Sequence, residues 1–285
     1  MNNKPTQRRV GPAILKALMF FGIFFGAQLI VSTAFSSIFS FMSMAQLGTV
    51  DEDFVLAKTN ECLLEMTVIS NALAVVVSLF VSILFKRQPA LEAVEITSSL
   101  DRKLPVLGTC VALGVFGQIA ILFILNVIPF PESWIDMLEE NNASISDGSV
   151  AMQIITVAIM APITEEIIFR AGVCGSLKTG VHKWLAIIVS SLVFGIMHLN
   201  PIGIIYATVL GILMGWLYTR FNSLLPSLVF HFAFNSTSLL LELFGEIPLL
   251  VCIVSIVIFL GCIGFLAYLG LLPPVDQNSD NQGDN

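Results

Sequence analysis

Thr164-Glu165-Glu166-Ile167-Ile168-Phe169-Arg170 sets two adjacent carboxylates and an arginine inside a long apolar run. Val150 to Met160 precede it and Ala171 to Gly175 follow, nearly all of them apolar or small. Ionisable groups at bilayer depth are expensive and persist where they face a bundle interior or a watery cavity. Glu166 and Arg170 are spaced i,i+4 and can pair on one helix face. Glu165 points about 100° away, since ~3.6 residues make a turn. One carboxylate can therefore be held in a structural ion pair, Glu166 with Arg170, while the other stays free. An ion pair that merely registers helices accounts for Glu166 and Arg170; it leaves Glu165 unexplained.

The surroundings read as membrane. Of 285 residues, 56% are hydrophobic and 12% charged, with mean hydropathy +0.91. A soluble domain carries roughly 25% charged residues, so the expected fold is an all-α polytopic membrane bundle of about eight transmembrane helices. The net charge of -7 and the lack of a basic patch exclude nucleic acid as a partner. Cys62, Cys110, Cys174, Cys252 and Cys262 show no CxxC or metal-type spacing and read as packing residues.

In chain order, residues 1–13 form a cytoplasmic N-terminal segment. Residues 14–148 hold transmembrane helices 1–3 with their loops, 149–247 a core of helices 4–7, 248–272 helix 8, and 273–285 a polar, disordered cytoplasmic tail. The first apolar run, about Ile14 to Phe41, is longer than the ~7–15-residue core of a secretory signal and reads as an uncleaved span. Gly22 and Gly26 in it suit close helix packing as well as they suit two ordinary membrane glycines. Leu47 to Glu65 reads as an acidic loop. Gln88 to Lys103 reads as an interfacial stretch, and so does Glu132 to Glu140, with Trp134 as its anchor. Pro162 should kink the fourth span just before the glutamates. Asn200-Pro201 closes the fifth span and opens the sixth, with Asn200 as N-cap and Pro201 at the first helical position. Eleven of the 13 lysines and arginines then fall on the N-terminal side, and Lys58 alone falls opposite. By the positive-inside rule both termini are cytoplasmic, in a multi-pass protein of the cell membrane.

Of three histidines, His182 lies in a polar loop beside Lys183 and reads as solvated. His198 ends the fifth span in Phe194-Gly195-Ile196-Met197-His198. His231 lies early in the seventh, in His231-Phe232-Ala233-Phe234-Asn235, and shares a helix face with Asn235. Either histidine alone would more often be a packing residue. Depth argues otherwise. At ~1.5 Å of rise per residue, Glu165 lies about 20 Å before the 178–183 loop and His198 about 22 Å after it. His231 and Asn235 lie roughly 15–20 Å beyond the 220–223 loop. Three spans thus bring a carboxylate, two imidazoles and a carboxamide to similar depth within a ~30 Å core.

Such a set can hydrolyse a peptide bond. Glu165 would be the general base toward water, with its pKa raised by burial. His198 would position the water, and His231 and Asn235 would donate to the developing oxyanion. Equally, Glu165, His198 and His231 make a ligand set that zinc can use with water in the fourth place. No serine or cysteine has a reason to be the nucleophile.

Glu165-Glu166-x-x-x-Arg170, Phe194-x-x-x-His198 and His231-x-x-x-Asn235 resemble the three signature motifs of the CAAX-protease and bacteriocin-processing (CPBP) family. These intramembrane endopeptidases include the Ras-converting type II CAAX prenyl protease. The resemblance covers about Ile154 to Ser238, with all three motifs in order. It implies that Glu165 activates water, that His198 assists, and that His231 and Asn235 serve the oxyanion. It also implies a peptide or lipidated protein tail as substrate, with membrane lipids around it. Members are described both as metalloendopeptidases and as metal-free glutamate proteases, and some bacterial ones act in peptide maturation or bacteriocin self-immunity. The competing readings are a non-catalytic peptide-binding or bacteriocin-immunity protein on the same fold, and a transporter with the glutamates as cation sites. The transporter reading would favour inverted repeats, which the sequence does not show.

Overall fold

The computed structural model describes residues 9–84, 103–244 and 247–271. The N-terminal residues 1–8, most of the interfacial stretch Gln88 to Lys103 and the C-terminal tail lie outside the described residues. Ten helices follow one another among the described residues: α1 (Val10–Leu47), α2 (Glu52–Glu61), α3 (Leu63–Leu84), α4 (Lys103–Val127), α5 (Glu132–Ser146), α6 (Val150–Leu177), α7 (Lys183–Ile196), α8 (Pro201–Phe221), α9 (Leu225–Leu241) and α10 (Leu249–Leu271). Six of them, α1, α3, α4, α6, α8 and α10, are long and apolar enough to cross a membrane. The other two apolar helices, α7 and α9, have 14 and 17 residues. The expected eight spans are thus six full-length helices with two shorter ones among them.

The bundle is apolar on its outside, as a lipid solvent allows, and sets polar side chains among the apolar ones of its core. Ser70, Asn71, Ser78, Ser190, Ser191 and Ser227 are buried, while Leu18, Phe80, Val209 and Val257 are exposed. Ser82 bonds back to the Ser78 carbonyl and Ser191 to the Ile187 carbonyl of their own helices, so these hydroxyls do not meet hydrocarbon unpaired. Between α1 and α3, Ser70 donates to Gln28 Oε1 (2.9 Å) and Gln28 donates to Asn71 Oδ1 (3.5 Å). Such interhelical bonds join helices where the hydrophobic effect cannot.

The ends of the bundle sort as an up-and-down path requires. At one end the turn at Gly180 lies against Val10 and Ala13, and Arg220 lies over Gly270. There burial holds the Lys178 ammonium below its ordinary pKa, and its Nζ stands 3.4 Å from the Tyr218 hydroxyl. At the opposite end Gly148 lies against Leu64, beside α2 and α5. The stretch expected as an acidic loop contains α2, capped by the Asp51 side chain accepting from Phe54 N–H. Gly22 and Gly26 meet no neighbouring atom within 4 Å of an added Cβ, so they are ordinary membrane glycines here. The close small-residue packing lies elsewhere: a Cβ on Gly211 of α8 would come 3.1 Å from Ser191 Cα of α7.

Candidate active site

α6 carries the two glutamates and is not a plain α-helix. It runs in π register over Ile154–Met160, in α register over Ala161–Glu165, and again in π register over Glu166–Cys174. π segments are rare, and they re-aim side chains, often at functional sites. At Pro162, where a kink is expected, the register changes while the chain keeps helical dihedrals at Met160, Ala161, Glu165 and Glu166. α1 supports the helix from behind, with Phe20 over Gly172 and Phe24 edge-on to Phe169 at 5.5 Å.

Glu166 and Arg170 are each 1% exposed, and Glu166 Oε1 stands 3.4 Å from Arg170 Nε. The expected pair is present. The guanidinium also lies 4.3 Å over the Phe194 ring and donates to Met214 Sδ at 3.4 Å. Glu166 is more than the structural ion pair expected of it, however. The same Oε1 lies 3.1 Å from His231 Nδ1. A carboxylate only accepts, so Nδ1–H donates to Glu166. Nε2 of the same ring lies 3.5 Å from Oε2 of Glu165, whose side chain is 22% exposed against 1% for Glu166. His231 therefore stands between one sealed carboxylate and one accessible carboxylate. The two glutamates differ as their helical azimuths require, and α9 meets both.

His198 approaches from α7. Fourteen residues rise roughly 21 Å, less than the ~30 Å hydrocarbon core, so the turn after Ile196 falls at depth. Backbone groups there need internal partners. Asn200 supplies them: its Oδ1 accepts from Gly203 N–H at 2.6 Å, and its Nδ2 donates to His198 O at 3.1 Å. Asn200 is the expected N-cap, with Pro201 at the start of α8. Leu199 takes a left-handed φ of 59° to make the turn. His198 Nδ1 donates to Phe194 O at 3.2 Å, because a carbonyl can only accept. In the neutral ring this leaves Nε2 free as an acceptor.

Phe194 touches both histidines. Its ring meets His198 edge-on at 5.1 Å and His231 at 6.2 Å. Tyr206 meets His198 edge-on at 6.1 Å. Sequence reasoning passed over Tyr206; a tyrosine five residues into a membrane helix, one of three in the chain, was the available signal. Asn235 shares the α9 face with His231, and its Nδ2 donates to the Val157 carbonyl of α6 at 2.9 Å.

A zinc ion held by Glu165, His198 and His231 needs their donor atoms to converge. Both nitrogens of His231 face carboxylates, and His198 Nδ1 is bonded to the Phe194 carbonyl. Among the described residues no three His, Cys, Asp or Glu side chains group as a metal site. The side chains do not fit zinc in this arrangement. They form instead a chain of proton-sharing groups, Glu166–His231–Glu165, with a hydrogen-bond acceptor and a carboxamide nearby. His182 caps α7 by accepting from Trp184 N–H at 3.3 Å, outside this cluster.

Comparison with known proteins bears on the same segment. Residues 147–237 match the family profile described as type II CAAX prenyl endopeptidase, Rce1-like. The match spans all three motifs. The chain is also 31% identical over 106 residues to a Bacillus subtilis (strain 168) protein named "Putative membrane peptidase YdiL". That match takes in 36% of this chain and 43% of the relative, so the chain spans less than half the length of the curated relative it matches. No solved structure matches the chain.

Proposed function

We propose that the protein is an intramembrane endopeptidase that cleaves a peptide bond in a membrane-associated peptide or lipidated protein tail with water activated by Glu165. The observation that carries this reading is the pair of unequal carboxylates about His231: Glu166 sealed behind it, Glu165 accessible in front. A sealed carboxylate orients and charges an imidazole, as in other hydrolytic triads, and an accessible one can reach water.

Glu165 takes a proton from water as the water oxygen bonds to the scissile carbonyl carbon. The carbonyl electron pair moves onto oxygen. His231 Nε2–H, held by Glu166, and the Asn235 carboxamide donate to that oxyanion. His198 Nε2 accepts from the attacking water and aims it. The intermediate collapses with rupture of the C–N bond, and Glu165 passes its proton to the leaving amine. The family similarity and the membrane bundle favour substrates that arrive through the bilayer.

The test is purified protein in detergent or liposomes, given farnesylated and unmodified peptides and read by mass spectrometry. Cleavage lost in Glu165→Gln, with thermal unfolding unchanged, supports the reading. Peptide capture without cleavage by the unaltered protein would instead support a binding or immunity role.

A further inference from the structure

We infer that Pro162 sets the orientation of Asn235 by leaving the Val157 carbonyl without a backbone donor. Val157 lies within the first π segment of α6. In α register its carbonyl would accept from Ala161 N–H, but that N–H is bonded to Thr156 O. In π register the donor would be residue 162, five further on. Residue 162 is proline and has no N–H. The carbonyl is therefore orphaned by sequence and register together. It lies at the packed junction of α6 and α9, where an unpaired backbone acceptor is costly. The Asn235 carboxamide takes the place of that donor, with Nδ2 at 2.9 Å from the carbonyl oxygen.

This bond has a consequence for the site. Nδ2 carries two hydrogens. Fixing one on Val157 O fixes the plane and direction of the other. It also fixes which end of the carboxamide faces α6, since only the nitrogen end can donate. Asn235 lies one turn from His231 on the same face of α9, so its second N–H is held beside the histidine rather than free to rotate. Pro162 is buried and has no N–H or ionisable group to take part in the chemistry. It is a positioning residue that acts through Asn235. The inference rests on the proposed peptidase reading for its catalytic consequence, and on the hydrogen bond alone for its structural one.

A double-mutant cycle separates the two. Pro162→Ala returns an N–H to residue 162, so Val157 O regains a backbone partner. Thermal unfolding in detergent is measured for Asn235→Ala in the unaltered background and in the Pro162→Ala background; the cycle cancels the cavity left by the ring. Asn235→Ala is expected to lower the midpoint clearly in the first background and by less than half as much in the second. Asn235→Asp, which sets an oxygen against the carbonyl, should lower it further than Asn235→Ala when Pro162 is present. Equal losses in both backgrounds would overturn the inference, whatever the activity.

Turnover of the farnesylated or unmodified peptide supplies the second arm. Asn235→Ala should cut kcat by about 10²–10³, the usual loss of one oxyanion donor. Pro162→Ala should lower kcat with KM unchanged, and the double variant should be no slower than Asn235→Ala. Additive losses in kcat would show that Pro162 acts by another route. A coupled stability cycle with no turnover of any peptide would keep the structural inference and remove the peptidase reading.

Discussion

Glu166 Oε1 lies 3.1 Å from His231 Nδ1 and joins α6 to α9 through a bond that no solvent reaches. The same oxygen faces Arg170, so one carboxylate serves a guanidinium and an imidazole at once. Glu166→Gln should therefore do two things. It should destabilise the fold by roughly 3–5 kcal/mol, the cost of stranding one partner of a buried pair, seen as a lower thermal midpoint in detergent. It should also release His231, so any protein that folds should turn over slowly. A stable, fully active Glu166→Gln protein would refute both roles.

Glu165 should behave differently. Its side chain is partly accessible and its nearest ionic partner is His231 Nε2 at 3.5 Å. Glu165→Gln keeps the shape and removes the base. Turnover should vanish while the unfolding midpoint stays close to that of the unaltered protein. A marked loss of stability would mean that Glu165, too, holds the bundle together.

Much of this was legible in the sequence, for definite reasons. Glu165 and His231 meet because helix rise from neighbouring loops carries them to one depth. Asn200 and Pro201 form the cap they spell, because capping is local chemistry. The i,i+4 spacing gave Glu166 and Arg170. The π register of α6 was not legible, since Pro162 forbids one backbone bond without saying which register will absorb the loss. The second bond of Glu166 was hidden for a related reason: its distance to His231 depends on the rotation of α9 against α6.

The packing of α7 on α8 offers a further check. A Cβ on Gly211 would come 2.9 Å from Ser191 Cβ and 3.2 Å from the Phe194 ring. Gly211→Ala should force the helices apart, at about 1–3 kcal/mol for overpacking. Because Phe194 touches both histidines and lies under Arg170, activity should fall together with the midpoint. An unchanged midpoint and rate would show that α7 moves freely.

Orientation in the membrane is a proposal drawn from charge. Arg9, Lys178, Lys183 and Arg220 sit at one end of the bundle, while α2 and α5 at the other carry mostly acids. The positive-inside rule puts the basic end in the cytoplasm. Single cysteines placed at Asp53 and Glu139, in a background lacking the native thiols, should react with an impermeant maleimide added outside intact cells. Labelling of both only after the cytoplasmic face is opened would invert the arrangement.

The last expectation concerns metal. Zinc bound by Glu165, His198 and His231 would need an imidazole nitrogen of His231 to turn from a carboxylate to the ion. Contact with Glu166 and Glu165 occupies both nitrogens of His231. Glutamate-activated water needs only that Nε2–H turn from Glu165 to the developing oxyanion, with Nδ1 kept on Glu166. Activity should therefore survive exhaustive chelation, and His198→Ala should lower kcat without altering metal content. One equivalent of zinc in active protein, lost together with activity in His198→Ala, would show that the side chains rearrange around an ion and that the water is metal-bound.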